Sequence, residues 1–493
     1  MLTAAHFLSI PSEMFPFFLV MSCVAMSCAA LGMARSGDMR DEESEDGGND
    51  DGAHDDEAHD DEDPDYSGME SQIAALAQVA NRSREQEAEL ANLYFAHAVK
   101  KQEYDELDDA VLSYNNGIAL LDALYAPGGV DDDGARQLGH ALLGRAVAEN
   151  DNGDTRRALD DYDRAIDVLK PLADKQDGDA MYDIAGIRLN QGTIYHQLEE
   201  YDKANEVLDQ SFLAFRALEK ISDLGDTRFY MAKVSIAMGS LYRDTGEPIE
   251  KIIDVYDRAM RLLVELIDIG QMEHEHELAV VLLDKCTACY DACMEKEFAS
   301  DRERNEALDA ILLDVGRGVE ILKKVAETGD PGACYDLFSA MITQGTMMLD
   351  LDKNDEALAV FDELLDSFKE LGEVEDPIIR HQYAGLEENR GTALYNLDRY
   401  EEARQSFDCS VRLRQELLES DEIEEEDRIE FTIGLGSAYI NRANAFGQLG
   451  QIDKAHADCK AASALIEPYA KEYGEDFQDL LEQINEISAA LVS

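Results

Sequence analysis

The chain has no tryptophan, 9 prolines in 493 residues, and few basic side chains: 43 Lys and Arg stand against 107 Asp and Glu, for a net charge of −64. So little base excludes a direct grip on nucleic acid or on an anionic bilayer, since both need basic surface. The lack of Trp and Pro, beside abundant Ala, Leu, Asp and Glu, favours helices over strands. Eight cysteines are too few for a disulfide scaffold in a chain of this length. Six of them fall inside helical patterns, where reduced, buried thiols are the simplest reading. Catalytic signatures are missing as well: there is no G-x-x-x-x-G-K-[ST], no H-E-x-x-H and no G-x-S-x-G. Acid runs such as Glu199-Glu200 and Glu424-Glu425-Glu426 read as solvated turns rather than acid–base pairs. The expectation is a non-enzymatic protein without a cofactor, and 45% hydrophobic residues are enough to bury a core.

The N-terminal 37 residues carry one long apolar run, Phe15 to Met33, with no charged residue in nineteen positions. That length nearly crosses a bilayer or forms the apolar part of an export signal. No Lys or Arg precedes it, and Arg35 and Arg40 follow it, which departs from the usual basic leader. Three readings stand: a membrane anchor, an export signal, or an apolar run never made because translation starts later, for example at Met39. Val20-Met21-Ser22-Cys23 faintly resembles a lipoprotein cleavage site, but a small residue before Cys is common by chance. Reduced thiols go with a cytoplasmic repeat region; anchoring or export through residues 15–33 is the other outcome. Residues 38–68 form an acidic linker, with sixteen Asp or Glu and one Arg between Asp38 and Asp65. Such a segment cannot fold alone. It also presents His54 and His59 among carboxylates, which could hold a divalent cation loosely, although a solvated tether is the plainer reading. About −15 of the charge lies there and −49 on the rest.

Residues 69–493 carry a repeat. A small residue is followed twelve positions later by Ala, four further on by a large side chain, and three beyond that usually by another small one. It runs through Ala98, Ala110, Tyr114, Gly117; Ala146, Ala158, Tyr162, Ala165; and Gly192, Ala204, Leu208, Ser211. It returns as Gly345, Ala357, Phe361, Leu364; Gly391, Ala403, Phe407, Ser410; and Ala443, Ala455, Cys459, Ala462, with Gly239, Ile252, Tyr256, Ala259 one residue longer at Pro248. The pattern predicts a helical hairpin in which the small residue lets the second helix approach the first. Steps between small residues are 48, 46, 47, 106, 46 and 52, so the 106-residue gap hides one more hairpin, predicted from His274 to Lys324. There Ala307 is expected to open the second helix after a loop holding Ser300-Asp301-Arg302.

The segments LNQGTIYHQLEEYDKANEVLDQS, ENRGTALYNLDRYEEARQSFDCS and INRANAFGQLGQIDKAHADCKAA resemble the tetratricopeptide repeat (TPR) family, in a long-period form of 46 to 52 residues where the usual period is 34. This resemblance implies an all-α, right-handed superhelical solenoid of antiparallel helical hairpins, about eight of them. It also implies that the concave face, lined by first helices, holds an extended peptide or a partner helix. Asn190, Asn389 and Asn441 stand two residues before the small anchor, at the family position that often hydrogen-bonds a bound peptide backbone. Thr193, His196, Thr392, Tyr395 and Asn444 are expected on the same face, with Leu189, Asn396, Ile440 and Gln448. Members that clamp a chaperone's C-terminal carboxylate use Lys and Arg there, and that set is not present.

Cys286, Cys289 and Cys293, near His274 and His276, invite a zinc or iron–sulfur reading. Their spacings of three and four instead put all three on one face of a helix, as core residues. Asp350, Asp352 and Asn354 mimic the start of a calcium loop, but Asp355 stands where Gly is needed and Phe361 where Glu belongs. The expected function is a non-catalytic interaction scaffold binding a protein or peptide, basic or neutral-polar, and not nucleic acid. The alternative is a metal-responsive regulatory domain using the acidic and Cys/His clusters. Self-assembly through the terminal repeats is a third outcome, and oligomeric state stays open.

Overall fold

The computed structural model describes residues 66–125, 131–220, 227–296, 298–370, 377–420, 423, 425–470 and 475–491; the apolar run and nearly all of the acidic linker lie outside them. Among the described residues there are eighteen α-helices, one 3-10 turn at Met272–His274, and no strand. They divide into two compact units, one reaching to Gln271 and the other starting at Met272. In the first unit α1 (Ser67–Ala77) precedes four hairpins: α2 (Arg84–Glu103) with α3 (Leu107–Tyr125), α4 (Asp132–Asp151) with α5 (Thr155–Ala173), α6 (Gly178–Gln197) with α7 (Tyr201–Leu218), and α8 (Thr227–Asp244) with α9 (Ile249–Asp268). The second unit has α10 (Glu275–Glu295) with α11 (Asp301–Ala326), α12 (Pro331–Asp350) with α13 (Asn354–Glu370), α14 (Pro377–Asn396) with α15 (Tyr400–Leu418), and α16 (Glu425–Gln448) with α17 (Ile452–Ala470), closed by α18 (Glu475–Ala490). Paired helices of 17 to 26 residues account for the long period: the added residues lengthen the helices themselves.

Five helix starts among the described residues are set by side chains that accept from free backbone N–H groups. Ser83 and Gln86 form a reciprocal capping box before α2. Asp131, Asp177 and Asp330 accept from Gly134, Ala180 and Ala333 at 2.8, 3.0 and 2.9 Å and so open α4, α6 and α12. The turn inside each hairpin obeys a second rule. Seven residues after the small anchor the backbone turns left-handed, at Asp105, Gly153, Glu199, Gly246, Asp352, Asp398 and Gly450, with φ between 56° and 82°. Each time the next N–H reaches back five residues to the first helix, as Glu200 does to the Tyr195 carbonyl at 2.8 Å and Gln451 to that of Phe446 at 2.8 Å. This arrangement satisfies carbonyls that the helix end leaves bare.

The fifth hairpin does not keep the small–Ala spacing, and no left-handed residue stands among the described residues of its connection. Ser300 caps α11 by accepting from Glu303 at 3.2 Å, so Asp301 and Arg302 are helical and the helix begins before Ala307. The charged stretch resembles a loop, yet Asp301 and Glu303 sit where a helix N-terminus favours negative charge. The buried series Leu308, Leu312, Val315, Val319, Leu322 repeats the spacing of Ala158, Tyr162, Ala165, Leu169, Leu172. Leu308 therefore takes the place of the recurrent Ala, and Ala307 is one residue off the core stripe.

The small anchors are where the helices of a pair meet. A Cβ added to Gly192 would stand 2.5 Å from Leu208, one on Gly239 2.6 Å from Tyr256, and one on Gly391 2.5 Å from Phe407. Second helices bury a single stripe, such as Ala158, Tyr162, Ala165 and Leu169 in α5. First helices are buried almost all round, as in α6, where Ala180, Ile184, Ala185, Ile187, Leu189, Gln191 and Ile194 are enclosed. Neighbouring first helices also touch each other, α6 with α8 and α14 with α16. In each unit they form the inner layer.

Candidate functional site: the face of the first helices

The residue just before the small anchor is long and polar in several hairpins, and where it is Arg it staples three helices. Arg145 in α4 makes a two-pronged contact with Asp161 of α5 at 2.5 and 2.7 Å and donates to Asn115 of the preceding α3 at 2.5 Å. Arg390 in α14 donates to Ser406 of α15 and to Asp362 of α13, at 2.7 and 2.6 Å. Arg442 in α16 holds Asp458 of α17 by two bonds of 2.8 Å and Asp408 of α15 by one of 2.9 Å. Gln191 in α6 reaches Asp163 of α5 at 2.8 Å. Planar guanidinium groups bridge two acceptors on separate helices, which lysine does not do with a fixed geometry. The sixteen-residue interval between Arg145 and Asp161, repeated by Arg442 and Asp458, is the sequence signal that leads to these staples.

The eight residues expected on the partner-binding face fall into two groups. In the first unit, Asn190 donates to the Tyr162 hydroxyl at 3.2 Å, Thr193 bonds back to the Leu189 carbonyl at 3.3 Å, and His196 meets Asp244 of α8 at 2.7 Å. In the second, Asn389 is buried at 8% exposure, and Thr392 donates to the Glu388 carbonyl at 3.1 Å. Tyr395 stacks edge-on to Tyr400, ring centres 5.2 Å apart, and its hydroxyl accepts from Gln448 at 3.1 Å. Asn441 donates to Glu388 at 2.7 Å, and Asn444 is half-buried beside it on α16. Thr193, His196, Thr392, Tyr395 and Asn444 all keep partly exposed side chains, whereas Leu189 and Ile440, also expected on this face, are buried.

Glu388 lies outside the small–Ala–large–small motif and departs from the repeat around it. Three residues before the anchor the other hairpins place Phe95, Leu143, Leu189, Ile236, Ile342 and Ile440; the seventh places Glu388, 3% exposed. Its counter-ion Arg414, 5% exposed, occupies a position where the others have Leu121, Leu169, Phe215, Leu263, Phe368 and Ile466. Arg414 donates to Glu388, to the Ser410 hydroxyl at 2.7 Å and to the Gly434 carbonyl at 3.0 Å, while Ser437 and Asn441 donate to the other oxygen of Glu388 at 2.7 Å each. A buried ion pair stands where the other hairpins carry two apolar side chains, and the second hairpin helix α15 and two first helices supply its bonds.

Cys286 is buried at 4% exposure, and burial pushes its thiol up to about 12. A thiol held neutral in this way is a poor metal ligand. It stands four residues before Tyr290, which donates to Asp350 of α12, just as Gly192 stands four before His196, which meets Asp244 of α8. Cys286 is thus the small residue of α10. Cys289 and Cys293 are half-buried, and no three His, Cys, Asp or Glu among the described residues converge on a metal position. A recess of about 380 Å³, lined by Glu199, Glu200, Tyr201, Asp202 and Lys203, opens at the turn between α6 and α7. Among the described residues no helix is long and apolar enough to cross a membrane; residues 15–33 lie outside them.

No protein-family model matches the chain, and no curated protein matches it in sequence. Solved structures similar to it include the apo form of RapI, at 13% identity over 82% of this chain and 97% of that one, with a TM-score of 0.47. The apo form of the quorum sensor NprR from B. thuringiensis is 13% identical over 80% of this chain and 92% of that one, with a TM-score of 0.41. A signal-transduction ATPase with a tetratricopeptide repeat sensor from Pyrococcus horikoshii is 12% identical over 88% and 66%, also at 0.41. By the small-against-large packing of its own hairpins, the chain is a TPR-like helical repeat protein.

Proposed function

We propose that the chain is a non-catalytic scaffold that holds a protein or peptide partner against the face of its first helices, without a cofactor. The observation that carries this reading is the contrast along those helices. Their other sides are enclosed by neighbouring helices, while Thr193 and His196 in one unit, and Thr392, Tyr395 and Asn444 in the other, stay partly exposed; the first four also hold an internal hydrogen bond, and an incoming chain would meet their remaining hydroxyl, imidazole and phenol edges and the Asn444 amide. Asn190, Asn389 and Asn441 contribute from beneath, by fixing the packing on which those groups stand. The net charge of −64 favours a basic or neutral-polar partner and disfavours nucleic acid.

Fluorescence anisotropy with labelled peptides of matched length and differing charge tests this on the full chain. Basic and neutral-polar peptides are expected to bind more tightly than acidic ones. Thr193→Ala with His196→Ala, or Tyr395→Ala with Asn444→Ala, should weaken binding at least fivefold while circular dichroism stays helical. Equal binding of acidic peptides or DNA, unmoved by either pair of substitutions, would refute the assignment.

A further inference from the structure

Seven histidines lie among the described residues, and four of them stand in equivalent relations. Each sits on the first helix of one hairpin with a ring nitrogen against a carboxylate on the first helix of the next: His140 with Asp183 at 2.8 Å, His196 with Asp244 at 2.7 Å, His276 with Asp336 at 2.7 Å, and His381 with Glu430 at 3.4 Å. Two rungs fall in each unit. We infer that the rung between α10 and α12 makes the coupling of these two first helices depend on pH, tightening when the His276 imidazole is protonated and loosening when it is neutral. A neutral imidazole offers the carboxylate one hydrogen bond; an imidazolium adds charge, which counts for more where water is partly excluded. The inference concerns the inner layer itself and stands whatever binds there.

The surroundings divide the rungs. His276 faces Asp336 of α12, Asp330 at the start of that helix, and Glu277 beside it on α10; the bond to Asp336 raises its affinity for the proton against the opposing effect of burial. A histidine raised in the folded state adds stability that is fully present below the unfolded value of about 6.5 and is lost as pH rises through the raised one. His381 is different. It stacks on Phe431 with ring centres 4.4 Å apart, and although Glu430 of α16 and Glu388 of α14 face it, burial and the Arg414 guanidinium of α15 hold its proton affinity below normal. His196 has Asp244 in front of it, with Arg243 at 3.8 Å on the other side of that carboxylate and the Tyr201 ring 6.0 Å away. The rung between α10 and α12 is therefore the one set to respond near neutrality. Tyr290 bonded to Asp350 holds the far ends of the same two helices, so loosening at His276 frees the start of α12 while its end stays fastened.

Hydrogen exchange of the full chain at about pH 6 and about pH 8, corrected for intrinsic rates, reads this directly. Amides in the first half of α12 are expected to lose protection severalfold at the higher pH, up to about tenfold for each unit by which His276 is raised. His276→Gln keeps a donor that does not titrate and should abolish that difference in α12 while leaving α8, opposite His196, unchanged. Protection in α12 that is equal at the two pH values in the wild type, or that falls as much in H276Q, overturns the inference. If H276Q does not fold, the NMR titration of His276 in the wild-type chain decides: a midpoint above about 6.5 supports the rung, and one at or below it overturns it.

Discussion

At the scale of single residues the chain places charge where its own repeat calls for apolar side chains, and these positions make sharp predictions. Glu149 of α4 is 6% exposed and one of its oxygens has no partner; burial, reinforced by Asp161, pushes its carboxyl up to about 7. A carboxyl raised on folding favours the folded state while protonated, so stability is lost as pH climbs from the unfolded value of about 4.3 through about 7. Glu149→Gln should stabilise the protein by about 1–3 kcal/mol at pH 8 and change little at pH 5, as read from urea unfolding at the two values. Glu388 and Arg414 give the complementary case. Removing one partner by Glu388→Leu strands a buried guanidinium and should lose about 3–5 kcal/mol. Replacing both by Leu restores the apolar pair found elsewhere in the array and should return to within about 2 kcal/mol of the wild type, with Ser437 and Asn441 accounting for the remainder. A double variant as unstable as the single one would contradict this account. That both positions were exceptions could be read from the sequence; that they face each other could not, because 26 residues and a turn separate them.

At the scale of elements, the same substitution should act in opposite directions on one helix. Gly192 of α6 lies against Leu208, so Gly192→Ala forces a shift of a buried side chain and should destabilise by about 1–3 kcal/mol. Gly186, six residues earlier, has no atom within 4 Å of a Cβ and a helical backbone, so Gly186→Ala should stabilise by about 0.5–1 kcal/mol. Thermal unfolding of the two variants separates the effects, and equal shifts would show that the anchor is not a packing contact. The helices themselves were legible because small, Ala and large residues recur at helical spacing. The fifth pair was harder to read because it lacks the small–Ala spacing: Leu308 stands where most hairpins have Ala, and Val315 where most have a small residue.

At the scale of the whole molecule, charge is the dominant property. With −64 on the chain, association with a basic peptide should be fast at low salt and slow by about tenfold between roughly 0.05 and 0.5 M, while dissociation changes less. Stopped-flow mixing at the two salt concentrations measures this, and a salt-independent association rate would mean that the charge serves solubility alone. Acidity of this kind is a sum over residues and needs no fold to be known. The all-helical hairpin architecture is also written locally: anchors, caps and left-handed turn residues each act within a few dozen positions, so the sequence alone determined the helices, their pairing and the order of the hairpins. What the tertiary structure decided is the identity of polar partners between helices: the Arg staples, the Glu388–Arg414 pair and the histidine rungs. Those contacts join residues 16 to 60 positions apart on different helices, whose side chains meet only once the helices are packed, and a polar residue in a helix gives no local sign of whether it will face water or a counter-charge.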